Sequence, residues 1–481
     1  MSHRAPLSFS QESLWLTEEL LPGLSSYVLA AAWEITGDLD GAALGRAIGH
    51  FVDRHELLRS ELAEVDGRPT QTVRDHVGCE LGEIDLTGLP EAAADGAVRA
   101  LFRRWYEEPF SFRPPLLHAE LIRRGAGRGV LVLVTHHIVS DELSQSLMLR
   151  ELSELYAAEL AGREPELPDP EVQYADYAQW QREEIEPGLA AGLRYWSERL
   201  ADLPAGGPPT DRPRPPVRRF TAGVLTRELD PALVRRVDAL SRNAGTTPYA
   251  VYLAAFGALL GRWAATPRVV VGTPVSGRSE PELENVFGFF VNNVVLPLHC
   301  PEDESFDTLL RRVTTDLAVD LAHQDVPFHR VVEAVNPPRD LGRHPLYQVA
   351  LQVVESDTPL RLPGVRVTGL TEEFERVSGA TTEFDLLLDV VTDTTGPRCV
   401  LRFAEELFDE RTVEAVADAF VAVLTNATTT PEASLGTLFT GPDGPLVEEF
   451  LGEAQHAAGC RTRRPGGRPG TAGGAPGPWG D

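Results

Sequence analysis

The chain has 481 residues, of which 42% are hydrophobic and 24% are charged, as is usual for a soluble globular protein with more than one core. Its net charge of −28 argues against nucleic-acid binding, which needs a basic surface to neutralise phosphates. All 44 positively charged residues are arginine, so mechanisms that use a lysine nucleophile or a lysine Schiff base are excluded.

The sequence shows no signal for export or membrane insertion. Its start, MSHRAPLSFSQESLWL, lacks the charged region and continuous apolar core of a signal peptide, and no stretch reaches the ~18 apolar residues of a membrane span. Four scattered cysteines, Cys79, Cys300, Cys399 and Cys460, fit neither a disulfide framework nor a zinc site. We therefore expect a cytoplasmic protein with no membrane partner and no bound metal.

Helical and strand patterns alternate along the first part of the chain. Apolar residues at three- and four-residue spacing predict amphipathic helices at 8–21, 44–62 and 141–160. The apolar run RGVLVLVTHH, residues 128–137, predicts a buried strand. This alternation predicts an α/β fold, or an α+β fold with layered sheets and helices.

A proline- and glycine-rich segment divides the chain. Residues 201–223 carry little apolar periodicity and predict a linker between an N-terminal lobe, 1–200, and a C-terminal lobe, 224–455. The second half has two predicted helices within 230–264 and two buried strands within 267–278 and 286–298. The composition of the tail, residues 456–481, predicts disorder.

Two histidines and two acidic residues mark the junction between the strand at 128–137 and the following helix. The imidazole of His137 could accept a proton from an attacking nucleophile, and Asp141 could orient that imidazole or pair with a cation. The residues alone leave other interpretations open. A histidine on an apolar strand is often a core residue, Asp141 could cap the helix, and His136, His137 and Asp141 together could bind a metal.

Seven short motifs occur in the same order as in one known family. They are LSFSQESLWL (Ser10, Gln11, Leu14 and Trp15), DRHELLRSEL (53–62), HHIVSDE (136–142), QYADYAQWQ (173–181), GFFVNN (288–293), HQDVPF (323–328) and RDLGRHPLYQ (339–348). On these motifs the chain resembles the condensation domains of non-ribosomal peptide synthetases, from about Pro6 to Leu438.

The resemblance implies a fold and an activity. Condensation domains are V-shaped pairs of lobes similar to chloramphenicol acetyltransferase, with the active histidine in a tunnel between the lobes. Their donor is an acyl or aminoacyl thioester on the phosphopantetheine arm of a carrier protein, with no bound cofactor, and the acceptor is an amine or a hydroxyl. By this pattern His137 is catalytic, His136 supports it, and Asp141 is structural and pairs with Arg278. Glu142, Ser144 and Asn292 are expected beside the substrate tunnel.

One residue departs from the family pattern. The family has a glycine after the aspartate, whereas this chain has Glu142, which adds bulk and charge beside the expected tunnel. Glu142 could select an unusual substrate, or it could mark a non-catalytic protein that only recruits carriers. We expect an active, free-standing enzyme that meets its carrier in trans. A related acyltransferase that uses coenzyme A is the other alternative.

Overall fold

A computed structural model describes residues 3–20, 27–204, 206–354, 358–371, 380–393 and 395–439 of the chain. The predicted disordered tail, 456–481, and Cys460 lie outside the described residues. Among the described residues, no helix is both long and apolar enough to cross a membrane.

The first half of the chain alternates strands and helices, as the sequence predicts, but the helix predicted at 44–62 ends at Arg54 and a strand begins at Ser60. The elements are β1 (His3–Pro6), α1 (Phe9–Leu20), β2 (Val28–Gly37), α2 (Gly41–Arg54), β3 (Ser60–Val65), β4 (Arg68–Val73), β5 (Leu81–Asp85), α3 (Glu91–Glu107), β6 (His118–Gly125), β7 (Arg128–His136), α4 (Glu142–Ala161), α5 (Tyr174–Trp180) and α6 (Leu189–Arg199).

The second half begins inside the predicted linker, because its first strand starts at Thr221. Its elements are β8 (Thr221–Glu228), α7 (Pro231–Ala244), α8 (Pro248–Trp263), β9 (Arg268–Val275), β10 (Asn292–His299), α9 (Phe306–Leu321), α10 (Phe328–Val335), β11 (Val349–Val354), β12 (Val365–Gly369), β13 (Ala380–Thr381), β14 (Leu386–Val391), β15 (Arg398–Ala404) and α11 (Glu410–Thr429).

Strand β7 is the centre of the first lobe. It lies in a five-stranded sheet with the order β12-β2-β7-β6-β5 and pairs antiparallel with both neighbours. Successive side chains of a strand point to opposite faces, so Leu131 and Leu133 join one core cluster while Val130, Val132 and Val134 join another. The strand is thus buried on both faces, which explains its continuous apolar sequence.

The second lobe is built on a seven-stranded mixed sheet with the order β10-β9-β11-β14-β15-β8-β13. Helix α8 is buried along nearly its whole length, from Ala250 to Trp263, between this sheet and helices α7, α9 and α11. Thr247 caps its N-terminus by accepting a hydrogen bond from the Ala250 amide. The described residues therefore form two lobes of sheets and helices, and the expected α/β layered class is confirmed.

Segments from each half of the chain cross to the other lobe. Strand β12 pairs antiparallel with β2 and so extends the sheet of the first lobe. Phe287 and Phe290 also pack in the first-lobe core, while Phe9 and Trp196 from the first half pack in the second-lobe core. The two lobes are consequently interlocked, and a boundary at 201–223 does not separate all of their residues.

The described part of the predicted linker is bound to the second lobe by arginines. Arg214 donates to the buried carboxylate of Asp385 and, at 2.9 Å, to the main-chain oxygen of Gly342. Arg212 donates to the main-chain oxygen of Phe408 at 2.6 Å and pairs with Asp409. These arginines hold the linker against the lobe that it precedes.

Candidate active site

The motif at residues 136–142 forms a strand, a short turn and a helix. Strand β7 ends at His136, a 3₁₀ turn spans His137–Val139, and α4 begins at Glu142. Asp141 is the N-cap of this helix, because its side chain accepts a hydrogen bond from the Ser144 amide at 2.9 Å. The turn therefore places His137 at the end of a rigid buried strand.

The ring of His137 is oriented by its own loop. Its Nδ1 lies 3.1 Å from the main-chain oxygen of Ser140, which can only accept, so Nδ1 donates and Nε2 is left to accept a proton. Burial and the neighbouring His136 lower the pKa of His137 to about 4, although Ser140 and Asp141 oppose this shift. His137 is partly exposed, and its ring centre lies 5.7 Å from that of Phe289. It is thus a neutral imidazole whose Nε2 is free, in that no described residue hydrogen-bonds it.

His136 lies behind His137 in the core and is only 1% exposed. Its Nδ1 accepts a hydrogen bond from the Ile138 amide at 3.1 Å, and its Nε2 lies 3.5 Å from Oε1 of Glu18. Aromatic rings of Tyr27 and Phe110 pack around it. Burial lowers the pKa of His136, while Glu18 opposes this effect. The geometry therefore gives His136 a supporting position rather than one that contacts substrate.

Asp141 and Arg278 form a buried ion pair between the lobes. Arg278 donates from Nη1 to Oδ2 of Asp141 at 2.8 Å and from Nη2 to Oδ1 at 3.0 Å. The amide of Phe290 donates to Oδ2 at 3.0 Å. The side chains of Asp141 and Arg278 are 1% and 4% exposed, and the guanidinium lies over the Phe290 ring. A bidentate, buried pair of this kind fixes the orientation of the loop that carries His137.

Ser144 does not border a tunnel in this structure, contrary to our expectation, because it is fully buried. Its hydroxyl donates to the Gly288 carbonyl at 2.7 Å and accepts from the Gly288 amide at 2.9 Å and from Arg278 at 2.8 Å. A Cβ on Gly288 would lie 1.9 Å from the ring of Tyr174, so only glycine fits at this approach. Ser144 thus joins the first-lobe helix to the loop from the second half.

Two further residues hold the site together. Both lie in the family motifs, but the sequence alone did not indicate what either residue does. Gln11 donates from Nε2 to the main-chain oxygen of Ile138 at 2.9 Å, which fixes the turn after His137. The Tyr174 hydroxyl lies 2.7 Å from the Ser8 hydroxyl and donates to the main-chain oxygen of Phe289. Their contacts join segments that are more than a hundred residues apart.

A cavity of about 560 Å³ opens beside the site and is lined by both halves of the chain. Phe289 lines it and also packs against the ring of His137, which does not itself line the cavity. Asn292 lines it too, but its amide already donates to the main-chain oxygens of Gln324 and Val326 at 2.7 and 2.8 Å. Asn292 therefore shapes the wall by holding the neighbouring loop.

Glu142 is exposed at the first turn of α4, where a helix N-terminus favours negative charge. Partial desolvation raises the pKa of its carboxyl, as does the charge of Asp389, whereas Arg402 lowers it. Both of these residues belong to the second-lobe sheet. Glu142 does not line the cavity, although it was expected beside the tunnel. No group of three or more histidine, cysteine or acidic side chains in the described residues is arranged to hold a metal ion.

The fold and the site together define a two-lobed α/β protein with an HHxxxD loop held between its lobes by an arginine. The chain belongs to the condensation domain family, whose model matches residues 1–444. It is 36% identical to phosphinothricin tripeptide synthetase PhsB of Streptomyces viridochromogenes over 87% of this chain and 35% of that protein. It is 36% identical to the probable non-canonical nonribosomal peptide synthetase CymA of Salinispora arenicola over 90% of this chain and 6% of that protein. The chain thus spans about a third or less of these two relatives.

Solved structures of similar fold agree with this assignment. The X-domain from teicoplanin biosynthesis superposes with a TM-score of 0.78 at 26% identity, over 90% of this chain and 97% of that chain. The SgcC5 protein from Streptomyces globisporus superposes with a TM-score of 0.71 at 27% identity, over 89% of this chain and all of that chain. Both likenesses extend over the two lobes.

Proposed function

We propose that this chain is a condensation enzyme of natural-product biosynthesis. It would transfer an acyl or aminoacyl group from a carrier-protein phosphopantetheine thioester, presented in trans, to an amine or hydroxyl acceptor. The observation that carries this proposal is the free Nε2 of a neutral His137, held beside a cavity by the buried Asp141–Arg278 pair. The relationship to peptide synthetases supports the substrate class.

The resemblance to condensation domains implies a direct transfer without an acyl-enzyme. The acceptor nitrogen or oxygen attacks the thioester carbonyl carbon, and Nε2 of His137 accepts the proton that the acceptor loses. The tetrahedral species then expels the thiolate of the carrier arm, which takes a proton, and His137 returns to its neutral form. The Ser140 carbonyl keeps Nε2 in the accepting tautomer, while Asp141 and Arg278 fix the loop. Much of the remaining rate would come from positioning the two substrates.

Mass spectrometry of a loaded carrier tests this proposal. An acyl-loaded carrier protein is incubated with the chain and a panel of amine and alcohol acceptors, and the same acyl group is supplied in parallel as its coenzyme A thioester. We expect product and free carrier thiol only when the chain and the carrier donor are both present. Equal turnover of the coenzyme A donor would favour the alternative acyltransferase. Binding of the carrier without product would favour recruitment alone.

The pKa of His137 predicts an unusual pH dependence. Only the neutral imidazole can accept a proton, and with a pKa of about 4 it is neutral throughout the range from about pH 6 to 8. The single-turnover rate should therefore show no loss attributable to His137 as the pH falls from 8 to 6, and it should fall only as the pH approaches 4. An acidic limb with a midpoint near the ordinary histidine value of ~6.5 would contradict this assignment.

Glu142 makes recruitment without catalysis the second candidate function. It replaces the family's glycine beside the HHxxxD loop, and the similar X-domain has been solved in complex with OxyB. We favour catalysis because the arrangement around His137 is intact. Glu142→Gly is then expected to raise turnover of bulky acyl donors about tenfold or more relative to a two-carbon donor, since it removes bulk and charge. Parallel rates for both donors in the variant and the wild type would show that Glu142 does not set donor size.

A further inference from the structure

A buried carboxyl group in the wall of the cavity has no role in the chemistry proposed above. Glu383 precedes strand β14 and lines the cavity together with Tyr27 and Phe289. Its Oε1 is shielded from solvent, and no hydrogen-bond partner for this oxygen occurs among the described residues. Buried polar atoms are nearly always paired, so an unpaired carboxyl oxygen in a cavity wall indicates a ligand contact.

The neighbours of Glu383 hold it in place without satisfying both of its oxygens. Tyr27 lies close enough to lower the pKa of the carboxyl group, whereas Arg218 donates to the main-chain oxygen of Glu383 instead of to its side chain. Burial raises the pKa of the Glu383 carboxyl, and Tyr27 and Arg218 oppose this shift. A cation placed beside the carboxyl would favour its ionised form and gain a charge-assisted hydrogen bond.

The charges around the cavity also favour a cation. The acidic lining residues are Asp325, Glu333, Asp340 and Glu383, and the arginines are Arg218 and Arg343. Arg343 already pairs with Asp340 at 3.3 Å. Burial lowers the pKa of His329 and lowers that of His344 to about 3, so both histidines are neutral near pH 7. The lining therefore holds four acidic side chains against two arginines, in a cavity large enough for an amino-acid side chain.

We propose that this cavity selects substrates that carry a primary ammonium group in addition to the reacting atom, and that this ammonium donates a hydrogen bond to Oε1 of Glu383. The place of this selection in catalysis rests on the proposed condensation function, but the binding itself does not. The substrate class is a basic acyl group or acceptor, such as a diamine or an amino acid with an aminoalkyl side chain. Glu383 would be a specificity-determining residue that takes no part in proton transfer.

Calorimetric titration of the full chain with two matched probes, 1-hexylamine and 1-hexanol, tests the inference without relying on turnover. We expect hexylamine to bind wild type about tenfold or more tightly than hexanol, since a hydrogen bond to a charged group has that order of effect. Glu383→Gln, which keeps the shape of the side chain, should remove this preference. Equal affinities of the two probes for wild type, or an unchanged preference in the variant, would overturn the proposal.

Glu333→Gln is the matched control, because Glu333 lines the same cavity but is well exposed and lies 3.5 Å from Arg330. It should change hexylamine affinity by no more than about threefold, as is usual for an exposed ion pair. An effect as large as that of Glu383→Gln would assign the preference to overall charge and contradict a specific contact.

Thermal unfolding of both variants checks their folding, and the wild-type comparison decides the question if Glu383→Gln does not fold. Selective amine binding without any condensation product would refute the proposed function and leave this inference standing.

Discussion

Replacing His137 by alanine is expected to lower the rate of condensation by about 10²–10⁴-fold, the usual contribution of a general base. The free Nε2 of His137 is the group positioned to accept the acceptor's proton, and its low pKa keeps it unprotonated. The measurement is the single-turnover formation of product from an acyl-loaded carrier, followed by mass spectrometry. Because the ring of His137 is partly exposed at the end of a rigid strand, the substitution should leave the fold intact.

The loss should be larger for ester than for amide formation. An alcohol is a poor nucleophile at neutral pH and needs the base in the transition state, whereas a neutral amine attacks well once it is positioned. Matched alcohol and amine acceptors with one donor measure the difference. His76→Ala is the control, since His76 is exposed and pairs with Asp53 far from the site in sequence. A rate that is unchanged for both acceptors in His137→Ala would refute the catalytic role of this residue.

Replacing Arg278 by methionine is expected to lower the free energy of unfolding by about 3–5 kcal/mol, the usual effect of breaking a buried ion pair. The variant leaves the carboxylate of Asp141 buried without its cation, and among the described residues only the amides of Ser144 and Phe290 still donate to it. Condensation activity should fall as well, because the loop that carries His137 loses its anchor. Urea denaturation measures the first effect, and the carrier assay measures the second.

A double variant separates the ion pair from general packing. Asp141→Asn combined with Arg278→Met removes both charges, so the double variant should be more stable than the sum of the two single losses predicts. Arg311→Met is the matched control, because Arg311 pairs with Asp307 on an exposed helix face and should cost at most about 1 kcal/mol. A loss in Arg278→Met as small as in this control would show that the pair does not hold the loop.

Local sequence was sufficient to predict the elements that carry the motif. The apolar run at 128–137 is a strand buried on both faces, and the helix predicted at 141–160 begins at Glu142 with Asp141 as its cap. These features depend on the alternation of side chains and on hydrogen bonds within a few residues, which a sequence displays directly. The order of the seven motifs also predicted the family, which the match to the condensation domain model confirms.

Only the tertiary structure decided which residues face the cavity and which support the site. Ser144 stands three residues from Asp141 in the sequence, yet it is buried against Gly288. Glu383 gave no signal at all, because its position in the cavity wall depends on Tyr27 and Phe289, which lie in distant parts of the chain. Periodicity reports on neighbours within one element, whereas burial and pairing here arise from contacts between segments that meet only when the two lobes interlock.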